Sequence, residues 1–265
     1  MAMSTPGQRP AAAPDRGFQI ITAPGRRGVA DDGTMAGMHL PLAATARFLA
    51  LVASVLLGIM MVLTAVTGVA QEPFEVVRTV EEYRAMMLRG APALGTILSV
   101  DTLFIAAYAA FFIAYARVVE AAGTRELLRP GLLALLATAL LDILEDQHLL
   151  ALSRSVALGE DIGLATLRGQ QLLSQTKFHI GYVGLFLFGI GLPRRDWPER
   201  VFAFAVALPI PVLGAVLWSA PPAWVPALSI ARWFGFLFGF LGAVVLLGRA
   251  VSPPAPPSRS GDGVR

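Results

Sequence analysis

The chain has 265 residues, of which 55% are hydrophobic and 15% are charged, and its mean hydropathy is +0.65. A soluble domain is about a quarter charged and its apolar residues come in short periodic runs, so this composition excludes an ordinary soluble domain. Cysteine is absent, which excludes disulfides, thiolate catalysis and cysteine-bound metals. The net charge of +3 suits contact with anionic lipid. No basic stripe with interleaved aromatic residues predicts nucleic-acid binding.

Six long apolar blocks predict an all-α polytopic integral membrane protein, a bundle of six transmembrane helices in the lipid bilayer. Each block has about 20 residues or more, enough to cross a hydrocarbon core of about 30 Å. The blocks form a predicted domain of residues 39–250, between tails at 1–38 and 251–265 that are proline-rich and therefore expected to be disordered. The predicted spans are residues 43–69, 94–118, 130–152, 171–192, 199–219 and 225–248.

The end of the first span has two interpretations. Gly68, Val69 and Ala70 resemble the small-residue cleavage site of a signal peptide. The apolar run from Phe48 to Val66 is longer than the ~7–15 residues of a signal-peptide core, which favours a helix that is retained.

The polar segment at residues 71–91 predicts a short helix that lies on the membrane surface. Thr79 and Glu82 have the spacing of a capping box. Tyr83 and Met87 are among the residues that would form one apolar face of this helix. A lid over a site is the alternative interpretation.

Arginines concentrate in alternate loops, and this asymmetry predicts the orientation of the bundle. With the N-terminus in the cytosol, most arginines fall on the cytosolic side, so both termini are predicted to be cytosolic. The strong preference for arginine over lysine is typical of a GC-rich bacterial genome, and we expect a multi-pass protein of the inner (plasma) membrane. The arginines assigned to the outer side are Arg78, Arg84, Arg89, Arg154 and Arg168.

The third predicted span carries Asp142, Glu145, Asp146 and His148 in its second half. Charged groups at membrane depth are expensive and need partners. The three acids are three and four residues apart, so they share one face of the helix. At ~1.5 Å per residue, three other spans place an ionisable group at a similar depth of ~10 Å from the outer end. These groups are Asp101, Lys177 and Arg232.

The charged cluster predicted from these residues has an excess of acid, because four carboxylates face two permanent cations. A protonated carboxyl group, a charged histidine or a bound cation would restore the balance. Buried ion pairs most often only fix the order of helices, and this structural role is the first interpretation. The second is the handling of a proton or solute, in which Glu145 and Asp142 bind the proton or ion and Lys177 is the internal counter-ion. No catalytic residue is predicted.

A metal site is the alternative function. Glu145 and His148 have the Glu-x-x-His spacing of di-iron helix bundles, but the second copy that such a site requires is missing. A single metal ion bound by Glu145, His148 and His179 would make the chain a metal-binding protein or a membrane enzyme. Apart from that alternative, no cofactor is predicted.

The last two spans contain prolines and small residues with structural consequences. Pro209 and Pro211 predict a bend in the fifth span. The sixth span contains a series of small residues, Gly235, Gly239 and Ala243. Tight packing of this series inside the bundle is favoured; the alternative is that it joins two copies of the chain in a homo-oligomer.

Overall fold

The computed structural model describes the backbone of residues 32–76, 79–122, 126–221 and 223–251. Every regular element within these ranges is helical. Residues 1–31 and 252–265, which make up most of the two predicted tails, lie outside the described residues. The helices are α1 (Asp32–Thr67), α2 (Val80–Ala121), α3 (Leu128–Ala157), α4 (Leu164–Gly191), α5 (Trp197–Ala207), α6 (Pro209–Ser219) and α7 (Val225–Val251), with a 3₁₀ turn at Glu72–Phe74 before α2.

Four helical segments are long and apolar enough to cross a membrane, which makes the chain an all-helical membrane protein. They cover the second, fifth and sixth predicted spans in full and the first as far as Thr67. The third predicted span lies in α3 and the fourth lies in α4 as far as Gly191; these helices, of 30 and 28 residues, are not among the four segments. The four segments are Pro41–Thr67, Val80–Ala121, Trp197–Ser219 and Val225–Arg249.

The N-terminal part of α2 differs from the predicted surface helix. The capping box is confirmed, because the Thr79 hydroxyl accepts a hydrogen bond from the Glu82 backbone at 3.2 Å and the Glu82 carboxylate accepts one from the Thr79 backbone at 3.2 Å. The prediction of a separate short helix is wrong, since α2 continues unbroken from this cap to Ala121. Tyr83 and Met87 are fully buried against the C-terminal half of α3, so the apolar face packs on protein.

Glycines allow α3 and α4 to pack as a close antiparallel pair. A Cβ atom at Gly131 of α3 would lie 2.5 Å from the Phe188 backbone nitrogen of α4. A Cβ at Gly184 would lie 3.0 Å from the Leu135 nitrogen, and Gly191 meets the start of α3 in the same way. Real Cβ atoms need more room than this, so only glycine permits the contact. The close approach brings the acidic face of α3 against α4.

The predicted bend in the fifth span is confirmed as a break between α5 and α6. Leu208, at the break, has φ −124° and ψ −64°, outside the helical region, and α6 restarts with Pro209. The broken backbone packs closely on α4, because a Cβ at Gly189 would lie 2.6 Å from the Ala207 nitrogen.

The small-residue series of α7 packs inside the chain. A Cβ at Gly235 would lie 3.6 Å from the Ile210 side chain of α6, and a Cβ at Gly239 would lie 3.8 Å from it. Both are ordinary contact distances. Ala243 is fully buried. Association of two copies through this series stays a prediction.

An aromatic core fills the centre of the bundle. Phe112 contacts Phe188 of α4 edge-to-face, with ring centroids 5.3 Å apart, and Phe240 of α7 packs on Phe104 at 5.8 Å. Such edge contacts suit the quadrupoles of the rings. Buried alanines of α1 complete the same core.

Candidate functional site

Lys177 of α4 lies at the centre of a buried charged cluster. Only 4% of its side chain is exposed, and its Nζ atom lies 2.8 Å from Asp142 Oδ1 of α3. The same Nζ forms an ion pair with Glu145 of α3 and lies 3.8 Å from Glu75 Oε1, in the segment between α1 and α2. One ammonium group therefore faces three carboxylates from two parts of the chain.

Glu145 is fully buried, and each of its carboxylate oxygens has partners. Besides the Lys177 pair, its Oε1 atom accepts a hydrogen bond from Gln170 Nε2 at 3.0 Å and one from the Ser174 hydroxyl. Gln170 Oε1 in turn lies 2.5 Å from His148 Nδ1. Gln170, Ser174 and Lys177 are four and three residues apart, so one face of α4 supplies all the groups that satisfy this acid.

Arg232 of α7 pairs with the α1–α2 segment rather than with the acids of α3. Its guanidinium lies 3.3 Å from Glu72 Oε1, and the Trp233 indole donates a hydrogen bond to the same oxygen. The Phe178 ring connects this pair to the Lys177 cluster, because Arg232 Cζ and Lys177 Nζ lie 4.3 Å and 4.5 Å from its centroid. Cations at this distance are attracted to an aromatic ring.

Asp146 and Asp101 are buried without a cationic partner among the described residues. Asp146 is 1% exposed; its Oδ1 accepts a hydrogen bond from Gln71 at 3.4 Å, and its Oδ2 has no hydrogen-bond partner in the described chain. Asp101 is 7% exposed, and no described side chain forms a hydrogen bond or an ion pair with its carboxylate. Nearby on α2, the Tyr108 hydroxyl donates to Asp142 Oδ2 at 2.5 Å.

Glu75 belongs to the segment between α1 and α2, whereas Asp142, Glu145 and Lys177 belong to helices. Burial and the neighbouring Glu145 carboxylate raise its pKa to about 8, against the opposing effect of Lys177 and Arg232. A pKa this high leaves most of this carboxyl group protonated at neutral pH, where an ordinary glutamate is ionised.

The cluster forms one wall of a cavity of about 150 Å³. The opposite walls are largely aromatic. A second, smaller void of about 40 Å³ adjoins this cavity, and Phe112 and Phe240 line both. A third void of about 250 Å³ shares Tyr115 and Phe202 with the second and reaches the Arg195 loop. The charged residues that line the first cavity are Glu72, Glu75, Asp101, Asp142, Lys177 and Arg232.

The chain was also compared with known proteins. It matches no family model, no curated protein and no solved structure.

The structure does not bring the predicted metal ligands together. His179 is exposed, its Nδ1 atom lies 2.7 Å from the Gln175 carbonyl oxygen, and its ring packs near Trp218. Glu145 and His148 are connected only through Gln170. Across the described ranges, no group of three or more histidine, aspartate or glutamate residues is arranged to hold a metal ion.

Sequence reasoning missed five polar residues of the cluster. Gln170 and Ser174 precede Lys177 by seven and three residues, so their place on its helix face was readable from the spacing. Gln71, Glu72 and Glu75 gave no such signal, because a polar segment between two apolar spans ordinarily lies in water.

Proposed function

We propose that the chain is a six-span protein of a bacterial plasma membrane with both termini in the cytosol, in which α3 and α4 also cross the bilayer. Lys177 of α4 pairs with Asp142 and Glu145 of α3 on buried faces, which reduces the cost of placing these charges at membrane depth. The outward faces of both helices are mainly apolar. The exposed side chains on these faces include Leu133, Leu140, Leu144, Leu172, Val183 and Phe186.

We propose further that this protein carries protons at the Lys177 cluster and binds a small solute in the cavity beside it. The observation that carries the proposal is that one buried ammonium faces Glu75, Asp142 and Glu145 at the wall of a cavity. A single positive charge balances one carboxylate, so the remaining acids need a proton or a bound cation. Glu75, with a pKa of about 8, is well suited to exchange the proton.

The row of voids supports a path for the solute. Three voids that share lining residues run from the charged cluster towards the Arg195 loop, and the smallest lies between the other two. That middle void is lined mainly by aromatic and aliphatic side chains, among them Phe111, Phe188 and Phe202. A narrow apolar segment between two wider chambers would act as a gate against water and ions.

A purely structural role is the competing function. Lys177 connects α4 to α3 and to the α1–α2 segment, which is what a helix-ordering ion pair does. The two functions differ in whether removing a proton-exchanging group changes flux or only stability.

The test is proton flux into reconstituted vesicles that contain a pH-sensitive dye. Under an imposed membrane potential, we expect wild-type protein to acidify the vesicles faster than protein-free vesicles do. Glu75→Gln should reduce that rate at least tenfold, because the amide cannot carry a proton. Glu81→Gln is the matched control, since Glu81 is exposed at the start of α2, and it should leave the rate unchanged.

The thermal midpoint of each variant in detergent separates the two functions. Reduced flux together with a midpoint that matches wild type at pH 4, where Glu75 carries its proton, supports proton handling at Glu75. Flux equal to that of protein-free vesicles in the wild type, or a Glu75→Gln effect on the midpoint alone, would leave the structural role.

A further inference from the structure

We propose that the solute bound in the cavity beside the Lys177 cluster is a small lipophilic organic cation. Its ammonium group would lie against the Asp101 carboxylate and its apolar body against the aromatic wall formed by Phe104, Phe112 and Phe240. This proposal rests on the proposed function and names the class of solute that the same cavity takes.

The charges that line the cavity favour a cation. Four acids and two bases face it. Both bases are already engaged, Arg232 by Glu72 and Lys177 by Asp142 and Glu145. An anionic ligand would find no free positive charge and would meet an excess of carboxylates, which disfavours its entry.

Among the acids that line the cavity, Asp101 is the one that forms no ion pair with a described residue. It lines the cavity, and only 7% of its surface is exposed. None of the described side chains forms a hydrogen bond or an ion pair with it. An ionised carboxylate that is buried without an ion pair is costly, so it would attract a bound cation.

The walls around Asp101 favour an organic cation over a metal ion. Phe104 follows Asp101 by three residues on the same face of α2, and its ring contacts Tyr108 at 5.2 Å and Phe240 at 5.8 Å between centroids. A hard metal ion requires about six to eight oxygen ligands, which these rings do not provide. Aromatic faces attract ammonium groups and at the same time accept an apolar body.

The size of the cavity limits the ligand to a compact molecule. About 150 Å³ is far more than the ~10–15 Å³ that one water occupies on a comparable measure, and it suits a single ring with a small ammonium group. Benzyltrimethylammonium has this form. Neopentylbenzene has the same shape with carbon in place of the charged nitrogen, so the pair isolates the contribution of charge.

The experiment measures equilibrium binding of both probes to the full-length protein in detergent by dialysis. We expect benzyltrimethylammonium to bind at least tenfold more tightly than neopentylbenzene. Asp101→Asn should abolish that preference while the neutral probe binds as before. Asp101→Glu should keep the preference within about threefold, and Glu81→Gln, on the exposed surface, should change nothing.

The outcomes separate this proposal from the proposed function. Equal binding of the two probes, or a preference that persists in Asp101→Asn, would overturn the organic-cation proposal, whatever the proton flux of the wild type. If Asp101→Asn does not fold, Phe104→Leu is the second variant; it should weaken the charged probe several-fold more than the neutral one, and an equal loss for both would also overturn the proposal. Proton flux measured without any organic cation tests the proposed function alone.

Discussion

At the scale of single residues, the site is organised by an imbalance of charge. Six carboxylates, those of Glu72, Glu75, Asp101, Asp142, Glu145 and Asp146, gather around two cations, Lys177 and Arg232. Removing a charge from water costs several kcal/mol, and pairing returns this only where hydrogen bonds are also satisfied. Glu145 meets that condition, with a cation and two hydrogen-bond donors, whereas Asp101 does not.

Lys177 is predicted to be the most costly single residue of the cluster to remove. Lys177→Met would leave Asp142 and Glu145 buried without their cation, and a loss of about 3–5 kcal/mol in the free energy of unfolding is expected. Thermal or denaturant unfolding in detergent measures it. The double variant Lys177→Met with Glu145→Gln should recover part of this loss, because it leaves one fewer uncompensated carboxylate. The control Arg195→Met removes an exposed ion pair and should cost no more than about 1 kcal/mol.

Glu75 should make the stability of the protein depend on pH. Its pKa is about 8 in the folded protein and 4.5 when free, so between these values the folded state binds more protons than the unfolded state. Stability from this group is therefore present at low pH and is lost as pH rises towards 8. Glu75→Gln does not titrate, so the variant should match wild type at pH 4 and exceed it at pH 9 by more than about 1 kcal/mol.

Thermal midpoints of both proteins across this pH range provide the measurement. Glu81→Gln should follow the wild-type curve, since Glu81 is exposed. Parallel curves for wild type and Glu75→Gln would contradict the assignment of the proton to Glu75.

At the scale of helices, glycines decide how closely α3 and α4 approach and therefore whether Glu145 reaches Lys177. The contacts at Gly131 and Gly184 involve backbone atoms of the opposite helix, which do not move aside as a flexible side chain would. A glycine also allows the broken helix to pack on α4, because Gly189 lies directly against the Ala207 backbone at the end of α5.

Gly131→Ala is predicted to separate the two helices. Its new methyl group would lie 2.5 Å from the Phe188 nitrogen, and such overpacking costs about 1–3 kcal/mol. The control Gly95→Ala places a methyl group in open space on α2 and should be neutral or stabilising by up to about 1 kcal/mol. Unfolding in detergent distinguishes the two, and equal midpoints would show that the α3–α4 contact yields without cost.

At the scale of the whole molecule, the proposal that α3 and α4 cross the bilayer has a direct test. The chain has no cysteine, so a single introduced thiol reports its own position. Glu126 and Glu160 are exposed at opposite ends of α3. In intact cells, an impermeant maleimide should label Glu160→Cys and should label Glu126→Cys only after the cells are lysed. Labelling of both or of neither in intact cells would mean that α3 does not cross.

Local sequence was enough to predict the helical class, the four segments that are apolar enough to cross a membrane, the break after α5 and the capping box before α2. Each of these depends on local properties: an apolar run, a proline that removes a backbone donor, or two residues at a fixed spacing. It also indicated that acids on α3 need partners from other helices, because uncompensated charge is costly wherever the chain folds.

The sequence named Lys177 as the counter-ion of Asp142 and Glu145, but the other members of the cluster became apparent only from the packed structure. The segment from Gln71 to Glu75 looks like an ordinary polar loop, yet Glu75 is buried against Lys177 and Glu72 pairs with Arg232, more than 150 residues away. Pairing across such a distance depends on which helix faces meet, and α3 and α4 meet through glycine contacts that no local pattern specifies. Depth along a helix follows from counting residues, whereas direction around the bundle is set by packing.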